Sequence, residues 1–123
     1  MKALSLLQPW AHLVIYGGKD IENRTWRTTF RGRVAIHASQ RHAMSEYFSA
    51  SDLINTRSIG AETPNEVTYG AVIGTVEIVD CINHSDSPWF CGPYGFVLRN
   101  PQPLAKPVFC RGSLGLWDWE PPI

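Results

Sequence analysis

Cysteine is scarce in this chain and odd in number: Cys81, Cys91 and Cys110 are the only three among 123 residues. An odd count argues against a disulfide framework, and no two of them stand at the Cys-x-x-Cys spacing of a structural zinc site. Cys81, His84 and Cys91 can be combined into a metal set, but scattered thiols are the commoner outcome, so a reduced, cytoplasmic protein without a metal is expected. Long apolar runs are also missing. None approaches the roughly 20 residues of a membrane-spanning helix, so no membrane partner is expected. The opening Met1-Lys-Ala-Leu-Ser-Leu-Leu-Gln-Pro-Trp10 carries one basic residue and no Ala-x-Ala-like site, which speaks against a signal peptide. There is no Ser-His-Asp order, no phosphate-cradling glycine loop and no carboxylate pair at a telling spacing, and no cofactor is expected.

What is present is enough for one core. Hydrophobic residues make up 44% and charged residues 18%, a balance that excludes global disorder, and the length suits a single domain over residues 1–123. Net charge is zero but unevenly spread. Residues 1–41 hold seven basic side chains (Lys2, Lys19, Arg24, Arg27, Arg31, Arg33, Arg41) against Asp20 and Glu22, a balance of +5 that the remainder cancels. A localised positive face, rather than total charge, is what attracts phosphates. An uneven solvated surface is the alternative reading.

Hydrophobic patterning predicts a short buried strand at 3–7, then a helix opened by Gln8-Pro9-Trp10 and ended by Gly17-Gly18. Residues 19–24 read as an extended strand or turn, and 33–38 as a strand with Val34, Ile36 and Ala38 on one face. A second helix is expected over 40–55 with Met44, Tyr47, Phe48 and Leu53 or Ile54 turned inward, followed by a loop at 57–68. The β-branched run at 70–79 is the strongest strand signal. Then come a loop at 83–92, a strand at 94–98, a proline-punctuated connection at 100–107, and a last strand or turn at 109–119. Several strands with one or two helices point to an α+β fold built on a small mixed barrel.

Two stretches together resemble the ASCH family of the PUA-like superfamily. One is Ser5-Leu-Leu-Gln-Pro-Trp-Ala11 followed by Gly18-Lys-Asp-Ile-Glu-Asn-Arg-Thr-Trp26, which is similar to the family's glycine-x-lysine-x-x-glutamate-x-arginine signature. The other is Gly92-Pro-Tyr-Gly-Phe-Val-Leu98 leading to Gly112-Ser-Leu-Gly-Leu-Trp117. The resemblance implies a PUA-like mixed β-barrel with flanking helices and a cleft beside the signature. It implies a partner among RNA, single-stranded DNA or a nucleotide, single-stranded RNA foremost, because relatives in this superfamily bind nucleic acid. Some small relatives deacetylate acetylcytidine and one branch is described as cutting RNA, so a hydrolase of the same cleft is the alternative.

In the deacetylating relatives a lysine at the position of Lys19 works with a threonine and a glutamate. Here Glu22 occupies the threonine's position and Glu77 is assigned the glutamate's, so the hydroxyl nucleophile is missing. If the chain is an enzyme, Lys19, Glu22 and Glu77 are the catalytic set and are expected to converge. A lysine in a partly apolar cleft loses solvation, which favours its neutral, nucleophilic form. A surface Lys19–Glu22 ion pair is the bland alternative. Glu77, the one charge in an apolar strand, should lie on the same face as Ile73, Thr75 and Val79, either facing water or paired with Lys19 or Arg24. The binding set comprises Gln8, Trp10, Lys19, Glu22, Arg24, Trp26, Arg27, Arg31, His37 and Ser39. Arginine forks hold phosphates and indole faces stack on bases. Against that, tryptophans in small domains are more often core, and a lone histidine such as His37 is more often a hydrogen-bonded structural residue.

Overall fold

The computed structural model describes residues 1–122. Eight elements follow one another: β1 (Lys2–Leu6), α1 (Trp10–Tyr16), β2 (Ile21–Arg24), β3 (Gly32–Ala38), α2 (Met44–Thr56), β4 (Ala71–Ile82), β5 (Tyr94–Phe109) and β6 (Leu116–Asp118). They form one six-stranded curled sheet in the order β2-β5-β4-β3-β1-β6, half of a barrel, with two helices. The α+β, PUA-like architecture expected from the sequence is the one observed.

β1 and β3 run parallel, Leu4 opposite Ile36, and every other pairing is antiparallel. A parallel pair needs a crossover, and the segment between them supplies α1 and then β2, which pairs with β5 at the opposite edge of the sheet. Crossing the sheet in this way brings the signature residues against the start of the chain. Leu4, Leu6, Val14, Ile15, Val34, Ile36, Val76, Ile78 and Phe96 form the main core between α1 and the sheet. A second cluster joins Leu13 and Ile21 to Ala50 and Ile54 of α2 and to Trp89. A third lies on the other side of β3, where Ala35 packs with Ala3, Val72 and Trp119.

Helix α1 begins without a side-chain cap from Pro9. Gln8, fully buried, takes that role: its Oε1 accepts the His12 N–H at 2.9 Å while its Nε2 donates to the Thr68 carbonyl at 2.8 Å. The helix ends as expected, and the left-handed residue is Gly18 at φ 75°, a conformation that costs glycine nothing. The turn lets the Lys19 N–H bond back to the Leu13 carbonyl at 3.1 Å, which aims the lysine side chain inward.

Three expectations need correction. The proline-punctuated stretch 100–107 belongs to β5, which continues to Phe109 alongside β4 with register shifts. β2 pairs with β5 only from Tyr94 to Val97, so Pro101, Pro103 and Pro107 lie where one side of the strand has no neighbour and a missing N–H costs nothing. In α2 Met44 and Phe48 are 70% and 71% exposed, and Ala50 and Ile54 are the buried positions. Ala50 and Ile54 meet Leu13 and Trp89, and Tyr47 on the same side is half-buried against Tyr69. Met44 and Phe48 project from the other side of the helix, where nothing covers them. Finally, Ile73 does not share a face with Glu77. The register shifts between Val72 and Gly74, so Ile73 joins the core of Val76 and Ile78 while Val72 turns to the Trp119 cluster.

Candidate nucleic-acid interface

The signature residues collect in a cleft of about 500 Å³ walled by β1, the start of α1, β2 and α2. Lys19 lies at its base, only 3% exposed. Its Nζ donates to the Ile21 carbonyl and to Glu22 Oε1, the latter at 3.1 Å, and stands 5.4 Å from the centre of the Trp10 ring. The other oxygen of Glu22 accepts the Arg24 Nε–H at 3.1 Å, and Arg24 Nη2 donates to the Ser5 carbonyl at 3.0 Å. One carboxylate thus bridges two cations. Burial excludes the surface ion pair that the sequence left open: the Lys19 and Glu22 side chains are 2% and 11% exposed. A buried charge is tolerated only when paired and hydrogen-bonded, and here every member has a partner.

Trp10 and Trp26 line the same cleft. Trp10 is held by its indole N–H, which donates to Glu46 Oε2 of α2 at 2.9 Å, while Trp26 meets Phe96 edge-on with centroids 5.1 Å apart. Both stay partly exposed. They are neither wholly core nor wholly surface, the condition under which an aromatic face can accept a flat ligand. Asn23, which no sequence signal singled out, carries the loop opposite: its Oδ1 accepts the Cys91 and Gly92 N–H groups at 2.8 and 3.0 Å and its Nδ2 donates to the Trp89 carbonyl at 3.0 Å.

A second hollow of about 530 Å³ adjoins the first, with Ser5, Leu7 and Arg24 lining both. His37 and Ser39 belong here, together with Arg41 and the loop 111–115. His37 is 1% exposed, and both ring nitrogens are engaged. Nε2 donates to the Cys110 carbonyl at 2.9 Å, which leaves Nδ1 to accept from Ser5 Oγ at 3.1 Å. Ser5 Oγ in turn accepts the Trp117 indole N–H at 3.1 Å. Gly112 is pressed against this network: a Cβ there would stand 2.6 Å from both His37 Cε1 and Ser5 Oγ.

The remaining candidates are elsewhere. Gln8 is buried beneath the helix start rather than at the edge of the cleft. Arg27 stacks over the Tyr94 ring, and Arg31 reaches Asp80 at 3.6 Å and its own loop's carbonyls; the two share a separate pocket. Glu77 does not converge with Lys19. It is paired with Arg33 at 3.1 Å, beside Thr75, which takes the other arm of the same guanidinium. Its neighbours Val76 and Ile78 point into the core under α1, so by the alternation of a strand Glu77 leaves the opposite face. Neither Lys19 nor Arg24 is its partner. Among the described residues no three His, Cys, Asp or Glu side chains gather to hold a metal ion, and no helix is long and apolar enough to cross a membrane.

The sequence profile of the ASCH domain matches residues 4–99. The chain belongs to the ASCH domain family. Relatives with curated names include activating signal cointegrator 1 from Homo sapiens, 29% identical over 132 residues, and its counterpart from Mus musculus, 28% identical. Each match covers 98% of this chain but 22% of the relative, so the chain spans about a fifth of the length of those proteins. The ASCH match takes in the whole of the tryptophan cleft; the 111–115 loop, which completes the second hollow, lies beyond it.

Proposed function

We propose that this ASCH domain binds nucleic acid, single-stranded RNA foremost, by admitting an unstacked base to the tryptophan cleft. The observation that carries the reading is the company Trp10 and Trp26 keep: a prearranged row of hydrogen-bonding groups formed by Lys19, Glu22 and Arg24. Aromatic faces stack on any base, and fixed donors and acceptors can then read its edge. Lys19, Glu22, Arg24 and Trp26 contribute directly; Gln8 contributes by fixing the start of α1. The asymmetric charge supplies the attraction for a strand, with Arg27 and Arg31, outside the cleft, as phosphate contacts further along its path.

Tryptophan fluorescence during titration with a short single-stranded RNA tests this. Quenching is expected, weakening as salt rises, and Trp10→Ala or Trp26→Ala should each lower affinity by about 1–3 kcal/mol, the worth of a stacked base. Arg24→Ala and Arg31→Ala should also weaken binding. Unchanged affinity in both tryptophan variants overturns the reading.

The Lys19–Glu22 contact inside a concave site also favours a hydrolase as second reading, since an acid–base group needs that reach. Glu22 in place of a hydroxyl, and the engagement of Glu77 with Arg33, weigh against deacetylation. Incubation with acetylcytidine should release little or no cytidine on chromatography. Rapid release, abolished in Lys19→Ala with the thermal melt intact, reverses the order of the two readings.

A further inference from the structure

The two adjoining hollows differ in charge. The tryptophan cleft is lined by Lys19 and Arg24 but also by Glu22 and Glu46, so its charges cancel. The hollow beside it is lined by Arg24, Arg41 and Arg111 and by no carboxylate. Arg41 and Arg111 form no side-chain hydrogen bond or ion pair among the described residues. Arg24 stands on the seam, with Nε and Nη2 engaged and Nη1 without a partner there. Glu22 balances Arg24, but Arg41 and Arg111 bring unpaired charge of one sign to the same concavity, and an anion relieves their repulsion.

We propose that this second hollow is a phosphate subsite, so that the domain takes a nucleotide with its base in the tryptophan cleft and its phosphate between Arg41 and Arg111. The base half of this assignment rests on the function proposed above; the anion half rests on the second hollow alone. Arg24 couples the two, holding Glu22 with one edge of its guanidinium and facing the phosphate with the other. His37 is not a ligand, because both its nitrogens are engaged. It is the floor against which Gly112 seats the 111–115 loop, and the 2.6 Å approach admits no larger residue. Guanidinium forks suit a phosphate's planar pairs of oxygens, and the subsite takes either a terminal phosphate or the diester of a strand.

Calorimetry with each of the four ribonucleosides, its 5′-monophosphate and the corresponding dinucleotide tests the assignment, alongside amide chemical shifts on addition of inorganic phosphate. For any base that binds, the monophosphate or dinucleotide should bind roughly tenfold or more tighter than the nucleoside, the expected worth of a new charge-assisted fork. Arg41→Gln combined with Arg111→Gln should erase that gain and leave nucleoside affinity unchanged. A larger gain for the dinucleotide marks a strand as the source, and an equal one a free nucleotide. Inorganic phosphate alone should shift the Gly112 and Gly115 amides in the native chain but not in the double variant. Equal binding of nucleoside and nucleotide, or a gain that survives the double variant, overturns the proposal. If no nucleoside binds, the base reading fails by itself: the phosphate-induced shifts then uphold the anion subsite, and their absence overturns it too.

Discussion

Two carboxylates, each bonded to an arginine, sit on different sides of this sheet and in different surroundings. Glu22 is buried between Lys19 and Arg24, whereas Glu77 is 38% exposed and strapped to Arg33 across β3 and β4. The contact distances are the same, 3.1 Å in each case. Surroundings alone separate them. In water the exposed pair gains little, because solvent competes for both partners. In the cleft the desolvated charges depend on one another, so the group is rigid, and a rigid row of donors and acceptors is what recognition of a base edge requires.

The largest expected effect follows from removing the shared anion. Glu22→Ala leaves the Lys19 ammonium buried without its counter-charge, and a loss of about 3–5 kcal/mol in urea unfolding is expected. Glu77→Ala should cost less than about 1 kcal/mol in the same experiment. Equal losses would break the comparison. Removing one cation is milder: Lys19→Met leaves Glu22 bonded to Arg24, and about 1–3 kcal/mol is expected, the cost of vacating one charged hydrogen bond in a buried place.

Salt sharpens the contrast further. Raising ionic strength to about 1 M, where screening acts over about 3 Å, should shrink the already small effect of Glu77→Ala and leave that of Glu22→Ala nearly unchanged. A parallel loss of both would place the Glu22 group in solvent reach.

The smallest effect concerns burial with no counter-charge. Partial burial lowers the pKa of His12 below its ordinary 6.5. The unfolded chain therefore binds the proton more readily, so stability falls as pH drops through 6.5 toward the folded value and is regained above 6.5. His12→Asn should flatten that part of the profile, as read from urea midpoints at about pH 5 and about pH 8. Because the side chain is only partly covered, the change is expected to be slight.

Much of the architecture was legible because its causes are local. The β-branched run of β4, the glycine stop after α1 and the alternation of β3 each follow from the preferences of neighbouring residues. The prolines of β5 misled because proline's penalty depends on whether a neighbouring strand is there to miss its N–H, and that is a property of the sheet. Met44 and Phe48 misled because amphipathic spacing says which side of a helix is apolar, not whether anything lies against it.

The candidate site divides along the same line. Lys19, Glu22, Arg24 and Trp26 fall within eight residues, and a turn followed by a short strand is enough to gather them, so their grouping could be read from the chain. That Glu77 answers Arg33 rather than Lys19, and that Arg41 and Arg111 line one hollow, depends on how residues far apart in the chain are brought together. Sequence by itself determined the family signature, the strand and helix types and the short-range constellation, since these rest on backbone preference and on the spacing of neighbours. Only the tertiary structure decided which charges are buried, which are paired and which line one hollow unpaired, because desolvation and Coulomb energy depend on distances through space that chain separation does not set.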